Sequence, residues 1–254
     1  MMSLRDQHIL VTGAGRGIGA AIAATLSRAG AKVTGLGRSQ APLAALVARG
    51  AAAGYVLADA TDAAAVRAAC ESAASERGPI DAIVANAGGA ESAPFRRSDA
   101  AMFRRMMDLN LMSVVNAAQA VLPGMMERKS GRVIAVASTA GLRGYAYVSA
   151  YVASKHAVIG LVRSLALETA ASGVTVNAVC PGYADTDMTE ESIARIVEKT
   201  GRSAEDARAE LAKHNPQGRL VAPDEVADAV LWLCGAGASA ITGQAIAVAG
   251  GEVM

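Results

Sequence analysis

Short apolar runs alternate along the chain with longer segments in which apolar residues recur at the spacing of a helix face. The apolar runs predict seven strands, at residues 8–12, 31–36, 55–58, 80–85, 131–137, 174–179 and 245–249. The intervening segments predict helices at residues 17–29, 42–49, 62–77, 99–127, 150–172 and 223–234. Continuous apolar strands that alternate with helices form a parallel sheet covered on both faces. We therefore predict an α/β fold, with residues 1–254 in a single doubly wound domain and about seven parallel strands.

Residues 183–218 interrupt this alternation with a more charged segment that predicts two helices. Thr189 is the predicted N-cap of the first helix, and Ser203, followed by Asp206, is the predicted cap of the second. The apolar positions at helical spacing in the first helix are Ile193, Ile196 and Val197. Because ligands of such sheets bind beyond the carboxyl ends of the strands, we predict a helical substrate lid here. A surface helical hairpin is the alternative.

A glycine-rich loop joins the first predicted strand to the first predicted helix, from Thr12 to Gly19. Glycine at Gly13, Gly17 and Gly19 permits positive φ angles, close approach of a pyrophosphate and tight contact between helix and strand. The helix N-terminus adds free amides and a partial positive charge. Ile18 makes the spacing differ from the commoner G-x-G-x-x-G. A loop of this kind between a strand and a helix predicts a dinucleotide-binding site.

The acidic residue that holds the ribose of NAD, roughly 20 positions after such a loop, is missing from this chain. No Asp or Glu occurs between Asp6 and Asp59, and the second strand runs into Arg38. Arg38 and Arg16 are instead suited to donate paired hydrogen bonds to a 2′-phosphate. We therefore predict NADP(H) as the cofactor, with NAD(H) less favoured. Two solvated arginines are the alternative.

Tyr151 and Lys155 are four residues apart in the predicted helix 150–172. Residues at this spacing share one helix face, so the ammonium can lie beneath the phenol and lower its pKa below the usual value of about 10. The pair predicts an acid or base usable near neutral pH. A chance spacing is the alternative that the pair by itself leaves open.

Composition and charge exclude several other classes of protein. Apolar residues make up 52% of the chain and aromatic residues only 3%, and the net charge is +1 with both signs interspersed. This is not the pattern of a nucleic-acid surface. The N-terminus lacks an export signal, and no run of about 18 apolar residues free of charge predicts a membrane span.

The cysteines and histidines are too scattered to predict a disulfide or a metal site. We expect the cysteines to be reduced, buried thiols of a cytoplasmic protein and His156 to be a packing or surface residue. The cysteines are Cys70, Cys180 and Cys234, and the histidines are His8, His156 and His214.

The glycine loop, Ser138 and the Tyr151/Lys155 pair together resemble the classical short-chain dehydrogenase/reductase family over essentially the whole chain. The resemblance implies a single Rossmann domain and a catalytic tetrad of Asn110, Ser138, Tyr151 and Lys155. With the two arginines, it implies cofactor contacts at Gly13, Arg16, Gly17, Ile18, Gly19, Arg38, Asp59, Ala60, Asn86, Gly88, Tyr151, Lys155, Pro181, Gly182 and Thr186. The chain departs from the family at Ala85, where many members carry asparagine.

The resemblance implies reduction of a ketone to a secondary alcohol with NADPH. Tyr151 is expected to give the proton, and Ser138 to hydrogen-bond the carbonyl oxygen. Lys155 is expected to bind the nicotinamide ribose and to depress the pKa of Tyr151, and Asn110 to hold a relay water. A secondary-alcohol or 3-hydroxyacyl-CoA dehydrogenase working oxidatively is the alternative. A non-catalytic dinucleotide sensor is a more remote one.

The lid and the segment 214–219 resemble β-ketoacyl thioester and polyketide ketoreductases. This implies a 3-oxoacyl group on coenzyme A or acyl carrier protein as the substrate, in a pocket shaped by Tyr183 and Met188. Such carriers are acidic, and a basic cluster is suited to meet them, with a solvated helix face or a subunit contact as the alternative. The cluster consists of Arg96, Arg97, Arg104 and Arg105.

Family members commonly form homotetramers, which the resemblance implies here through the helices 99–127 and 150–172 and the last strand. A small-residue face at Ala150, Ala153 and Ala157 suits close helix packing, although an internal core face explains it equally well.

Overall fold

The computed structural model of the chain describes residues 3–254. The strands are β1 (His8–Thr12), β2 (Lys32–Gly37), β3 (Gly54–Leu57), β4 (Ala82–Ala85), β5 (Gly131–Val136), β6 (Val174–Pro181) and β7 (Ala245–Val248). The α-helices are α1 (Gly17–Arg28), α2 (Gln40–Ala48), α3 (Ala63–Arg77), α4 (Ala100–Met107), α5 (Ser113–Glu127), α6 (Ser149–Thr169), α7 (Asp187–Thr200), α8 (Ala204–Ala212) and α9 (Pro223–Cys234).

The seven strands form one sheet in the order β3-β2-β1-β4-β5-β6-β7, with every neighbouring pair parallel. Because successive side chains of a strand point to opposite faces, Ile9 and Val11 lie in one core and Leu10 in another. Helices α1, α2 and α9 cover the first face, and α3, α5 and α6 cover the second. The predicted α/β fold with helices on both faces is confirmed.

The predicted helix 99–127 is interrupted by a π-helical turn at Asp108–Met112. The side chain of Asn110 in this turn is fully buried and hydrogen-bonds the backbone of Gly89 and of Met106. The wider turn therefore lets the helix carry a buried polar side chain that reaches a neighbouring loop, a common feature of functional sites. Helical spacing alone did not predict this interruption.

The segment 183–218 forms the two predicted helices, α7 and α8, but the predicted N-cap of α7 is wrong. The cap position is Thr186, and Thr189 lies inside the first turn, where its hydroxyl donates to the carbonyl of Ala184 at 2.5 Å. Ser203 caps α8 as predicted, because its Oγ accepts the amide of Asp206 at 3.0 Å.

The segment Ala100–Glu127 is long and apolar enough to span a membrane, with a mean hydropathy of 1.2 over its best 18 residues. Core helices of globular proteins have the same length and composition, so this is weak evidence for a span. Here Val114, Ala117 and Val121 of α5 are buried in the core of the second sheet face. This segment neither confirms nor contradicts the expectation that the chain has no membrane span, and that expectation stays a prediction.

The position of β4 at the centre of the sheet yields a test of the core. Ile83→Ala removes a side chain with 0% exposure, and we expect a loss of about 2–5 kcal/mol in unfolding free energy because the cavity cannot collapse fully. Leu57→Ala, at a side chain that is 51% exposed, is the control and should cost about 1 kcal/mol or less. Urea unfolding at one fixed protein concentration measures both. Equal losses for the two variants would contradict the assignment of this core.

Candidate active site

The carboxyl ends of β1, β4, β5 and β6 meet at the edge of the sheet where most of the predicted site residues lie. The strand order reverses between β1 and β4, because the chain after β1 continues outward through β2 and β3 while β4 leads to β5, β6 and β7. Such a reversal opens a crevice between the loops that leave the two strands, and ligands of doubly wound sheets bind there.

Two positions of the loop after β1 accept only glycine, because of close packing at one and a positive φ angle at the other. A Cβ at Gly19 would lie 2.2 Å from the carbonyl oxygen of Gly13, and Gly13 itself has a φ of 65°. Asn86, after β4, braces the loop by donating from Nδ2 to the carbonyls of Thr12 at 3.0 Å and Gly13 at 3.2 Å. The loop is therefore a rigid cradle that leaves its backbone accessible to a ligand.

The N-terminus of α1 has no competing anion of its own. Its cap residue, Arg16, makes no side-chain capping bond, and the first turn contains no acidic residue. Ile18 in this turn packs against the core. Thr186 lies beside Gly17, with its Cγ2 3.4 Å from where a Cβ would be. The free amides and partial positive charge of this helix end fit the pyrophosphate of a dinucleotide.

The arginine predicted to select the cofactor lies at the end of β2. The Arg38 side chain is 75% exposed and its Nη1 lies 3.8 Å from Oδ2 of Asp59. Asp59 accepts hydrogen bonds from the backbone and hydroxyl of Thr61, which, with a smaller contribution from Arg38, lower its pKa. Arg16, the second predicted arginine, pairs with Glu191 of α7 at 3.5 Å. Exposed ion pairs of this kind are weak, so both guanidinium groups are free to exchange partners.

Lys155, Asn110 and Gly88 come together behind the crevice. A Cβ at Gly88 would lie 2.8 Å from Oδ1 of Asn110 and 3.6 Å from Nζ of Lys155. Lys155 is 5% exposed, and its Nζ donates to the carbonyl of Val136 at 2.9 Å. Asn116 joins the same region from α5 by donating to the carbonyl of Ala60 at 3.0 Å. The predicted tetrad residues Lys155 and Asn110 are thus neighbours in space.

Ser138 and Tyr151 complete the group at the end of β5. Ser138 is the cap of a 3₁₀ turn, Thr139–Gly141, and its Oγ accepts the amide of Ala140 at 3.0 Å. Its hydroxyl proton therefore stays available to another acceptor. Nζ of Lys155 lies 5.8 Å from the centre of the Tyr151 ring, as predicted from their helical spacing.

In the protein chain alone, Lys155 is not among the groups that shift the pKa of the Tyr151 phenol, and the predicted lowering of that pKa by Lys155 stays a prediction. Burial raises the pKa of Tyr151, and the Ser138 hydroxyl beside it lowers the pKa by a smaller amount. Burial also lowers the pKa of Lys155 to about 8. The reason is that the ammonium is itself desolvated and bonded to Val136, so its charge does not offset the cost of forming a phenolate here.

Pro181 ends β6, and Gly182 follows it against the C-terminal strand, where its amide donates to the carbonyl of Val248 at 3.1 Å. The next residue, Tyr183, packs its ring against His214, with 5.4 Å between ring centres, and against Tyr145 at 6.3 Å. An aromatic cluster therefore lies on the side of the site formed by the segment 183–218.

The predicted basic cluster is only partly available to an acidic partner. Arg105 is engaged by Glu91 through two hydrogen bonds, at 3.1 and 2.8 Å, which lower the pKa of Glu91. Arg96 and Arg97 lie on an exposed 3₁₀ turn, and Arg104 is exposed on α4. The cluster thus presents three free guanidinium groups rather than four.

The scattered cysteines and histidines stay apart in the fold. All three cysteines are buried and free, as predicted. His8 is buried in β1 and bonded to Thr34 and Gly78, while His156 is exposed on α6. Within residues 3–254, no group of three His, Cys, Asp or Glu side chains could hold a metal ion.

Sequence reasoning missed Thr12, Tyr145 and Glu252. The Thr12 hydroxyl accepts the amides of Asn86 at 3.0 Å and Ala87 at 2.9 Å, and so ties the ends of β1 and β4 together. A threonine at the end of a strand before a glycine loop was a usable signal. No local signal joins Tyr145 to Glu252, which are 107 residues apart yet hydrogen-bonded.

Comparison with known proteins agrees with this geometry. Residues 7–196 match the family model described as short chain dehydrogenase. The 3-oxoacyl-acyl-carrier-protein reductase FabG of Vibrio harveyi is 38% identical over 254 residues, which cover 100% of both chains. The 2-(S)-hydroxypropyl-CoM dehydrogenase 3 of Xanthobacter autotrophicus is 38% identical, over 98% of this chain and 97% of that protein.

A solved structure of similar fold is that of an actinorhodin polyketide ketoreductase variant with NADPH. It has a TM-score of 0.92 and 33% identity, and the match covers 99% of each chain. Its NADPH, together with the rigid glycine cradle and the uncapped N-terminus of α1 in this chain, supports a nicotinamide dinucleotide as the cofactor. The chain belongs to the short-chain dehydrogenase family and is an NAD(P)-dependent oxidoreductase that acts on CH–OH or C=O groups.

Proposed function

We propose that the protein is an NADPH-dependent carbonyl reductase that converts a ketone, in particular a 3-oxoacyl thioester, into a secondary alcohol. The observation that carries this proposal is the convergence of the four tetrad residues at the carboxyl ends of β4 and β5. Nζ of Lys155 lies 5.8 Å from the centre of the Tyr151 ring. A Cβ at Gly88 would lie 3.6 Å from that Nζ and 2.8 Å from Oδ1 of Asn110, and Ser138 lies beside Tyr151. A non-catalytic sensor has no need of this arrangement.

The reductive direction needs a protonated Tyr151, which fits the raised pKa of this phenol. Reduction requires a phenol that is protonated at neutral pH, and burial keeps Tyr151 in that form. The nicotinamide, when bound, supplies the hydride. Tyr151 then gives its proton to the oxygen that gains charge, and the hydroxyl of Ser138, which lies beside Tyr151, donates a hydrogen bond to the same oxygen. Oxidation would instead require the phenolate, which burial disfavours.

Lys155 and Asn110 have supporting roles in this proposed chemistry. In the proposed role, Lys155 binds the nicotinamide ribose with the two ammonium protons that the Val136 carbonyl does not use. Asn110 holds the loop after β4 in place through both the amide and the carbonyl of Gly89. Its Oδ1 accepts one hydrogen bond in the protein and has capacity for a second, which suits the proposed relay water.

The preference for NADPH over NADH rests on charge at the end of β2. No carboxylate lies between Asp6 and Asp59 to receive ribose hydroxyls, and Arg38 is exposed next to the loop. Asp59 is engaged by Thr61, at 2.9 and 2.8 Å, more closely than by Arg38 at 3.8 Å. Arg38 is therefore available to a 2′-phosphate, which is the proposed contact.

The proposed substrate class rests on similarity and on the shape of the lid side. The relatives include reductases named for 3-oxoacyl carriers and a polyketide ketoreductase. Tyr183 follows the end of β6, and Met188 is a 40%-exposed side chain in the first turn of α7; both belong to the proposed lid at residues 183–218. An oxidative alcohol dehydrogenase is the second candidate, because one relative of equal identity is named as a dehydrogenase.

We further propose a single cytoplasmic domain over residues 1–254 that assembles as a homotetramer. The long helices α5 and α6 expose Met126 and Leu167, the latter with 85% exposure, and the π turn before α5 exposes Met112. Apolar side chains displayed on these helices fit a subunit contact. The free buried thiols fit a reducing compartment.

Tyr151→Phe tests the proposed chemistry in an NADPH oxidation assay against a panel of ketones and 3-oxoacyl thioesters. The parent should oxidise NADPH with at least one thioester, and the variant should lose at least about 100-fold in kcat because the proton donor is gone. NADPH binding, followed by fluorescence titration, should be nearly unchanged. Tyr147→Phe, the same change at a ring that is 68% exposed, is the control. A Tyr151→Phe variant that keeps the parent rate would refute the site.

Arg38→Asp tests the cofactor preference. Removing the donor and adding a like charge should raise the KM for NADPH about 10- to 100-fold and change the KM for NADH much less. Arg49→Asp, at an exposed position just after α2, controls for the change in net charge. If both cofactors are affected equally, the assignment to NADPH is wrong.

Lys155→Met tests the buried ammonium through the pH dependence of stability. With a pKa of about 8 when folded and 10.5 as the ordinary value, the unfolded chain binds more protons between these pH values, so stability rises with pH in that window. Below pH 8 the full cost of burying the charge is present. The variant should therefore exceed the parent at pH 7, by up to roughly 3 kcal/mol, and the gap should shrink towards pH 10.5.

Urea unfolding at several pH values measures that gap. Lys199→Met removes an exposed ammonium at the end of α7, and its effect should not change across the same window. A gap for Lys155→Met that is equally independent of pH would show that the ammonium is not desolvated in the folded protein.

A further inference from the structure

Glu252, two residues before the last in the sequence, buries a carboxylate beside the candidate active site. Its side chain is 1% exposed. Its Oε1 accepts the hydroxyl of Tyr145 at 2.5 Å and lies 4.0 Å from Nδ1 of His214. Its Oε2 is buried without a hydrogen-bond partner, and no Lys or Arg side chain of residues 3–254 forms an ion pair with it. The guanidinium of Arg143 donates to the Glu252 backbone carbonyl at 3.4 Å.

A carboxylate in this state does not stabilise the fold. Burial of a charge without a counterion and with half of its acceptors unmet costs free energy. A buried group of this kind therefore needs an explanation other than stability. Its short hydrogen bond with Tyr145 indicates which part of the structure it acts on.

Tyr145 connects Glu252 to the turn that carries Ser138. The Tyr145 oxygen lies 2.7 Å from Oγ1 of Thr139, which is 3% exposed and follows Ser138 directly. The phenol has one proton. When Glu252 accepts that proton, the Tyr145 oxygen is left to accept the hydroxyl of Thr139, so the three groups form one directed chain of hydrogen bonds. Burial and Glu252 raise the pKa of Tyr145 and keep it a donor.

Glu252 also abuts the opposite wall of the site. Its Oε2 lies 2.9 Å from where a Cβ would be on Gly182, the residue after β6. Ser138 follows β5 and Gly182 follows β6, and these strands are neighbours that flank the site. The carboxylate therefore lies close to the end of β6 and is linked to the turn after β5 through Tyr145.

We propose that Glu252 is a positioning residue, which holds the Ser138 turn in its reactive orientation through Tyr145 and Thr139. This inference rests on the proposed function of Ser138 as the hydrogen-bond donor to the substrate carbonyl. It assigns a role to a side chain that the sequence places 114 positions away from Ser138. A misplacement of about 1 Å at a reacting group can cost about 100-fold in rate, so this support matters to turnover.

Steady-state kinetics of Tyr145→Phe, Glu252→Ala and Glu252→Gln test the proposal, with Tyr147→Phe as the matched control. Tyr145→Phe and Glu252→Ala should lower kcat about 10- to 100-fold with little change in the KM for NADPH. Glu252→Gln should restore most of the rate, because its amide oxygen still accepts the Tyr145 hydroxyl. Tyr147→Phe should match the parent.

Thermal unfolding of the same variants separates positioning from a structural role. Glu252→Ala removes an unpaired buried charge, so its melting temperature should equal or exceed that of the parent while its kcat falls. A lower melting temperature with an unchanged kcat would overturn the proposal, as would parent-like kcat in both Tyr145→Phe and Glu252→Ala.

Hydrogen exchange gives a readout that does not depend on turnover. The amides of Ala140 and Leu142 are bonded to Oγ of Ser138 and to the carbonyl of Thr139. Both should exchange faster in Tyr145→Phe and in Glu252→Ala than in the parent and in Tyr147→Phe. Unchanged exchange would overturn the link from Glu252 to this turn. If the parent reduces no carbonyl, the proposed function fails, and the exchange rates still decide whether Glu252 holds the turn.

Discussion

The reversal of strand order between β1 and β4 is the constraint on which the rest of this structure depends. Parallel pairing brings the carboxyl ends of β1, β4, β5 and β6 to one edge. The chain leaves β1 and β4 in opposite directions, so their loops diverge and open a crevice. Thr12 and Asn86 hold the two sides at a fixed separation through four hydrogen bonds across the gap. A cofactor site therefore follows from topology before any catalytic side chain is considered.

The tetrad illustrates how burial, rather than pairing alone, sets proton chemistry. A surface Lys beside a Tyr would lower the pKa of the phenol. Here the ammonium of Lys155 is desolvated and donates a hydrogen bond to the Val136 carbonyl. Burial has the largest effect on the pKa of Tyr151. The outcome is a phenol with a raised pKa next to a lysine whose pKa is lowered to about 8. That combination suits the proposed role of Tyr151 as a proton donor that regains its proton from the side of Lys155.

Polar groups around the site are supported by elements distant in sequence. Asn110 reaches the loop after β4 only because a π turn widens the helix that carries it. Glu252, near the C-terminal end of the sequence, contacts the turn after β5 through Tyr145. Both supports place buried polar atoms beside the proposed catalytic groups, which would need fixed positions.

The sequence by itself determined the architecture and predicted the principal site residues. Continuous apolar strands, the glycine loop and the Tyr151/Lys155 spacing are local patterns, and local geometry is enough to interpret them. The missing acid before Arg38 is equally local. The family resemblance added Ser138 and Asn110, which no spacing rule singles out.

Only the tertiary structure decided the π turn at Asn110, the position of Thr189 within α7, the raised pKa of Tyr151 and the contact of Tyr145 with Glu252. Each of these depends on desolvation or on contacts between segments far apart in the chain. A pattern of residue types records which groups are present but not which of them lose water together. That loss of water, set by the packing of the sheet and its loops, is the physical reason why the chemistry of the site had to be taken from the fold.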